Sequence, residues 1–298
     1  MRKIVYMIWS GLLLSGCSLS ETTDIEVDAR PSLTVSYHYL NKDGIDATQD
    51  EIHSLDLYIF DPMGHFIKKV EADRRAAEDT SGLRLLDGVP AGEYTVVCFG
   101  NVKRITIPKL VPGESTTADL FAVEKQGDTC PDADRLFHSL TRFEVRRGEP
   151  HVRTVDLDKH YFLVDLTVNG AEKLVVTPDK MAVLFTGIPS GTDYKGDPVF
   201  AQTAFSPRLQ QTQQGFSATF AVYSFDMPDP VRMIVQAGSE TVGQVNLGEY
   251  IARHDLGIDL RNDRDVVLPI DIDVTTTGIT ITVNDWDDGA IQLPIIGK

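Results

Sequence analysis

Apolar residues recur at every second position in short runs along this chain, and most runs give way to glycine, proline, asparagine or aspartate. That period places successive side chains on opposite faces of a strand and does not match the helical repeat. In residues 33–39, Leu33, Val35, Tyr37 and Tyr39 share one face, and His38, alternating with the tyrosines, is expected to face solvent. Residues 55–60 form a second run, and Asp61-Pro-Met-Gly64 has the turn chemistry to fold it back into 65–70. Further strands are expected at 83–86, 94–99 and 136–145. In the second half, residues 161–168, 181–185, 216–225 and 231–236 alternate β-branched or aromatic residues in the same way. Residues 266–274 and 279–284 flank Thr275-Thr-Thr-Gly278 as a hairpin, while 72–77 and 247–253 read as short helices. Many short strands parted by turns specify an all-β sandwich and not a doubly wound α/β fold.

The number of strands suits two sandwiches in tandem, residues 32–156 and 157–298, with the boundary at 155–158 after the charged stretch 142–153. Gly88-Val-Pro-Ala-Gly92 and Gly187-Ile-Pro-Ser-Gly191 share one pattern, each just after an apolar strand. The echo fits two related halves, and a common strand-end turn explains it equally well.

Residues 1–31 carry a different signal. Arg2 and Lys3 precede an apolar run, 4–14, which ends in Leu14-Ser15-Gly16-Cys17. This order is that of a secretory signal peptide, residues 1–16, and its run, 11 residues long, falls short of the roughly 20 that a membrane-spanning helix needs. The ending resembles the lipobox of bacterial lipoproteins. Cleavage between Gly16 and Cys17 then leaves Cys17 first, with diacylglycerol on its sulfur and an N-acyl chain on its amine. The other reading is a plain signal peptide that happens to contain a cysteine. Each buried methylene contributes about 0.8 kcal/mol, so two or three acyl chains would hold the protein on a membrane. Ser18, with no aspartate beside it, is similar to the pattern sorted to the outer membrane. Residues 17–31 form a short tether with the acidic stretch Glu21-Thr-Thr-Asp-Ile-Glu-Val-Asp28. It resembles the surface-export signal of Bacteroidetes lipoproteins, and reads equally as a solvated linker.

The formal net charge is −16, and loss of the signal removes two cations more. Such a surface repels phosphate backbones, so no nucleic-acid partner is expected, and contact with a membrane should come through the lipid alone. Cys98 and Cys130 remain as a candidate disulfide in an oxidising compartment. Alternatively Cys98, within the apolar run Tyr94-Thr-Val-Val-Cys-Phe99, is a buried thiol acting as a small hydrophobe. There is no Gly-rich phosphate loop, no His-Glu-x-x-His pair and no Gly-x-Ser-x-Gly elbow. His38, His53, His65, His138, His151, His160 and His254 show no ligand spacing. No catalytic residue, metal, cofactor other than the covalent lipid, or small-molecule substrate is therefore expected. Asn284-Asp-Trp-Asp-Asp-Gly289 is oxygen-rich but departs from the spacing of a calcium loop, which leaves a strand end with a turn. Trp286 within it reads as a core-edge aromatic, or as a binding residue if exposed.

Four stretches together resemble the fimbrium anchoring subunits (FimB-type) of Bacteroidetes. They are Leu55-Asp-Leu-Tyr-Ile-Phe-Asp-Pro-Met-Gly-His-Phe66, Gly88-Val-Pro-Ala-Gly-Glu-Tyr-Thr-Val-Val-Cys-Phe-Gly-Asn101, Ala133-Asp-Arg-Leu-Phe-His138 and the Ile-Thr-Val-Asn-Asp-Trp286 ending. The resemblance implies two tandem transthyretin-like Greek-key β-sandwiches after the lipoprotein signal and tether. It implies a role at the base of a surface fimbrium, with fimbrillin subunits as partners and the outer membrane as the site. Such fibres grow when a strand of one subunit completes the sheet of its neighbour. Shaft precursors of this kind resemble substrates of an arginine-specific protease. Here the only arginine between Cys17 and the first strand is Arg30, and Pro31 behind it makes a poor scissile bond. The first strand is therefore expected to stay attached. A glycan- or nutrient-binding surface lipoprotein, a shaft or tip subunit, and an enzyme are the other classes weighed. Exposed aromatics on one face would favour the first of these, a mature N-terminus at Pro31 the second, and turnover the third.

Overall fold

The computed structural model describes residues 32–73, 83–125, 127, 129–146, 150–173, 180–201, 203–226, 229–254, 257–275 and 278–283. The signal peptide, Cys17, the tether with Arg30 and Pro31, and Asn284 to Gly289 with Trp286 lie outside the described residues.

The chain is almost wholly β. A first sheet has the order β4 (Leu83–Asp87), β1 (Ser32–His38), β9 (Pro150–Asp156), with β1 antiparallel to β4 and parallel to β9. A second, antiparallel sheet runs β10 (Asp158–Lys159), β8 (Phe137–Val145), β5 (Gly92–Gly100), β2 (Ser54–Phe60), β3 (Phe66–Asp73). In the second half one sheet runs β16 (Gln210–Gln211), β17 (Gly215–Tyr223), β11 (Tyr161–Asn169), β20 (Val267–Thr275), β21 (Gly278–Val283). Another runs β19 (Glu240–Asn246), β18 (Arg232–Ala237), β12 (Met181–Thr186), β15 (Ala204–Phe205), β7 (Thr129–Cys130). A small sheet joins β14 (Pro198–Val199), β13 (Gly191–Asp193) and β6 (Phe121–Val123). Among the described residues the α-helices are α1 (Thr48–Glu51) and α2 (Leu247–His254).

The two halves follow one pairing plan. In the first half β1 lies between β4 and β9, and β2 between β3 and β5, with β8 beyond β5. In the second, β11 lies between β17 and β20, and β12 between β15 and β18, with β19 beyond β18. Both plans contain one parallel pair, β1 with β9 and β11 with β20, while the other contacts within each plan are antiparallel. The glycine echo does not follow that plan: Gly88 and Gly187 both adopt left-handed backbone, φ +65° and +73°, but they end β4 and β12, and the counterpart of β4 is β17, so the echo is a shared strand-end turn.

Alternation in sequence becomes a buried face. Leu33, Val35 and Tyr37 of β1 are buried, as are Val164, Leu166 and Val168 of β11 opposite Leu268, Ile270 and Ile272 of β20. Each such side chain contributes about 1.5–3 kcal/mol relative to exposure. The Asp61 turn is built as its residues suggest. Asp61 Oδ1 accepts the amides of Met63 (2.8 Å) and His65 (2.9 Å), and Gly64 supplies φ +84°.

Several expectations need correction. Residues 247–253 do form a helix, α2, but Ala72 and Asp73 are the last residues of strand β3, because β3 pairs along the full length of β2; 74–77 lie outside the described residues. His38 is only partly exposed, its Nδ1 2.6 Å from Asp156 Oδ1 across the β1–β9 pairing. No disulfide joins Cys98 and Cys130: both are buried thiols, Cys98 inside β5 and Cys130 in β7, which belong to different sheets. Burial pushes the Cys98 thiol well above its ordinary range, so it is an inert packing group.

Strand pairing also crosses the middle of the chain. β6 pairs with β13 and β7 with β15, so a stretch of the first half is hydrogen-bonded into sheets of the second.

Candidate docking edges and the junction between the halves

Three of the stretches singled out in the sequence meet at one end of β5 and β8. Gly100 closes β5 where a Cβ would press on Phe137 Cβ at 3.0 Å, and Asn101 follows with φ +61°. Asn101 is buried and satisfied: its Oδ1 accepts His53 N–H (2.7 Å), and its Nδ2 donates to the carbonyls of Glu51 (2.7 Å) and Arg135 (3.2 Å). Asp134 does comparable work beside it. Its Oδ2 accepts the amides of Lys103, Arg104 and Ile105 at 2.7, 2.7 and 3.1 Å, and Arg104 Nε stands 3.6 Å from Oδ1. Asn101 and Asp134 thus hold these turns together.

From there the network passes into the second half. The Tyr223 hydroxyl accepts Asp134 N–H (3.3 Å) and donates to Glu124 Oε1 (3.0 Å). Burial pushes the Glu124 carboxyl up, against the opposing pull of that hydrogen bond and of Arg104. A second link joins Lys159 Nζ to Asp265 Oδ1 at 2.6 Å, with the Lys159 side chain only 8% exposed. Tyr39 Oη donates to the same carboxylate (2.9 Å), and Lys42 N–H to its other oxygen (3.0 Å). Lys159 Nζ also sits 4.6 Å from the Tyr161 ring centroid, a cation–π contact. Burial acts to raise the Asp265 carboxyl, but the three donors outweigh it and hold the group below the usual carboxylate range. Nothing local in the sequence announces this pair, whose members lie 106 positions apart.

His138 and His160 pack ring to ring at 5.1 Å, and His138 Nε2 lies 3.1 Å from Tyr194 O. Burial lowers His138 from 6.5 to about 4, and burial with the neighbouring His138 and Arg261 charges lowers His160 to about 3. An unfolded chain therefore binds protons that the folded one refuses, and stability falls as pH drops below about 6.5. Between pH 7 and pH 5 the expected loss is on the order of 2 kcal/mol per histidine. Urea unfolding at the two pH values checks it, with His160→Gln expected to remove about half the drop; a flat profile would refute the assignment.

Among the described residues no group of three or more His, Cys, Asp or Glu is arranged to hold a metal ion, and no helix is long and apolar enough to cross a membrane. A cavity of about 730 Å³ lies between Asn41–Lys42 and residues 262–267, without a convergent set of reactive groups. What the fold does offer is strand edges. The outer edge of β9 has no strand beside it among the described residues, and neither does that of β3 or β4. Main-chain N–H and C=O groups on such edges can accept a further strand.

A family model for the fimbrillin-A associated anchor proteins Mfa1 and Mfa2 matches residues 16–288. The chain belongs to that family. The resemblance to fimbrium anchoring subunits drawn from the four stretches is thereby borne out, and the match takes in Cys17. The fimbrial anchor protein Mfa2 from Porphyromonas gingivalis is similar in structure, with TM-score 0.69 and 15% identity over 88% of this chain and 99% of that one. A Bacteroides ovatus protein provisionally described as an adhesin gives 0.73 and 16%, over 90% and 97%. A Bacteroides thetaiotaomicron protein provisionally described as polysaccharide-binding gives 0.72 and 17%, over 88% and 98%. At these identities the likeness shows a shared all-β fold. No curated protein sequence matches the chain.

Proposed function

We propose that this member of the anchor family is a non-enzymatic, lipid-anchored fimbrial anchoring subunit. Cys17, carrying diacylglycerol and an N-acyl chain, holds it to the outer membrane, and the body, two sandwiches in tandem at 32–156 and 157–298, holds a fimbrillin through an added β-strand. The observation that carries this reading is the family match over residues 16–288. The lipobox ahead of Cys17 supports the membrane half of it, and the open strand edges support the other.

Pull-down of the native lipoprotein from detergent-solubilised outer membrane, with mass spectrometry of what is retained, tests the partner. A fimbrillin-like subunit in excess supports the anchor; retention of a transporter with glycan-processing proteins points to glycan binding instead. That second reading takes its motive from the Bacteroides thetaiotaomicron relative. Only Phe121 and Phe200 are exposed large aromatics among the described residues, which is a thin platform for sugar stacking. The anchor itself is tested by Cys17→Ser, which is expected to cut the membrane-bound fraction about tenfold or more, since the acyl chains supply the attachment. Unchanged sedimentation with membranes would remove Cys17 from the mechanism.

A further inference from the structure

The shared plan fills a position in the second half that the first half leaves open. There β21 runs antiparallel along the outer edge of β20, and its buried Ile279 and Ile281 lie over Gly243 of β19. β9 is the counterpart of β20, and its outer edge carries no strand among the described residues. In place of one is a cleft of about 230 Å³ lined by Arg142, Phe143, Glu144 and Arg146 of the β8 side and His151 and Arg153 of β9.

The chemistry of that edge differs from its counterpart. His151 and Arg153 pair with the buried Leu33 and Val35, so they share the inward-facing side of the sheet, where β20 carries Leu268, Ile270 and Ile272. Neither Arg142 nor Arg153 has a carboxylate within ion-pairing distance among the described residues. On the other face Val152 is 66% exposed. Inward charge blunts an edge against apolar strands. It also suits a strand of opposite charge, and this cluster is basic on a chain of net charge −16.

We propose that the chain's own acidic tether, residues 21–28, lies antiparallel along the outer edge of β9, as β21 does along β20. Asp24, Glu26 and Asp28 fall at every second residue and turn towards Arg142, His151 and Arg153, which leaves Ile25 and Val27 on the face of Val152. The chain arrives at the right place, because β1 begins at Ser32 directly beside Pro150, the first residue of β9. From Asp28 to Ser32 the chain spans at most about 13 Å, and passing over β9 requires two strand spacings, about 9.6 Å. The inference rests on this edge and this tether and not on the fimbrial role, so failure of either leaves the other standing.

Hydrogen exchange on the full-length lipoprotein in detergent tests it. Amides 23–28 are expected to exchange about tenfold or more slower than an open chain. The protection should vanish in the Arg142→Glu, Arg153→Glu variant, with β1 and β2 still protected, and return when Glu26→Arg and Asp28→Arg are added. Open-chain exchange in the native protein overturns the proposal, as does protection indifferent to the reversal. Protection of β9 that appears only on adding anionic vesicles or a fimbrial subunit, with the tether exchanging freely, assigns the edge to that occupant instead. Should the reversed variant lose β1 protection as well, cleavage of the unmutated chain after Glu26 by a glutamate-specific protease decides: slow at low salt and about tenfold faster at high salt if the latch is ionic, and overturned by equal rates.

Discussion

Asp134→Ala is expected to destabilise the protein by about 3–5 kcal/mol, the range for removing one partner from a buried charged network. The carboxylate is 3% exposed and accepts three successive amides, so its loss orphans the donors of Lys103, Arg104 and Ile105 together. It also leaves Arg104 without its nearer carboxylate, Glu124 being 3.9 Å away. Asp134→Asn keeps an acceptor oxygen and should lose about half as much. Urea unfolding of the three proteins at pH 7 measures both differences. A loss below about 1 kcal/mol would mean that water satisfies the turn and that Asp134 does not organise it.

Gly191→Val is the second large effect, and it acts on the crossing between the halves. A Cβ at this position would overlap Ala122 O and come within 2.8 Å of Val123 Cα. Both obstacles are backbone, so no side-chain rotation relieves them, and β6 or β13 has to move. That movement breaks the Gly191–Val123 register. A cost of about 3 kcal/mol or more is expected. Its site should be visible as loss of exchange protection at the amide of Glu124, which donates to Ser190 O across this crossing. A variant with native stability and unchanged protection there would show that β6 docks without needing a glycine.

The long strands were legible because their environments are simple. Where one face is buried, as in Leu33, Val35 and Tyr37 or in Val164, Leu166 and Val168, alternation in the sequence is the burial pattern itself. β9 escaped because His151 and Arg153 occupy inward positions, so its sequence reads as a charged linker, and the boundary at 155–158 was drawn at its end. β19 escaped for another reason: it is largely open to solvent and built of Thr, Gly and Gln, with only Val245 buried. Two-residue strands such as β7 and β15 are too short to show any period; they exist through tertiary pairing. The crossing of β6 and β7 into the second half is a relation between residues more than 60 apart, which no local pattern encodes.

The candidate site was legible in part. Gly100, Asn101 and Asp134 stood within conspicuous stretches, but their roles appeared only once the amides they satisfy were in place. The Lys159–Asp265 pair left no trace in sequence. A docking edge is main chain, which every residue possesses, so side-chain signatures cannot locate it; what located the β9 edge was comparison with β20 in the other half.

The placement of β1 has a mechanical consequence. Load carried by the chain ahead of Ser32, once any pairing of the tether along β9 has given way, enters the body through the first residue of this strand. β1 is flanked on both sides, by β4 antiparallel and by β9 parallel, and its register with β9 begins at the loaded end, Ser32 opposite Pro150, and continues to His38 opposite Asp156. Tension along the strand axis, resisted by the rest of the body, strains those bonds in shear and all at once. They would have to fail together, whereas a strand pulled sideways from its ladder peels one bond at a time.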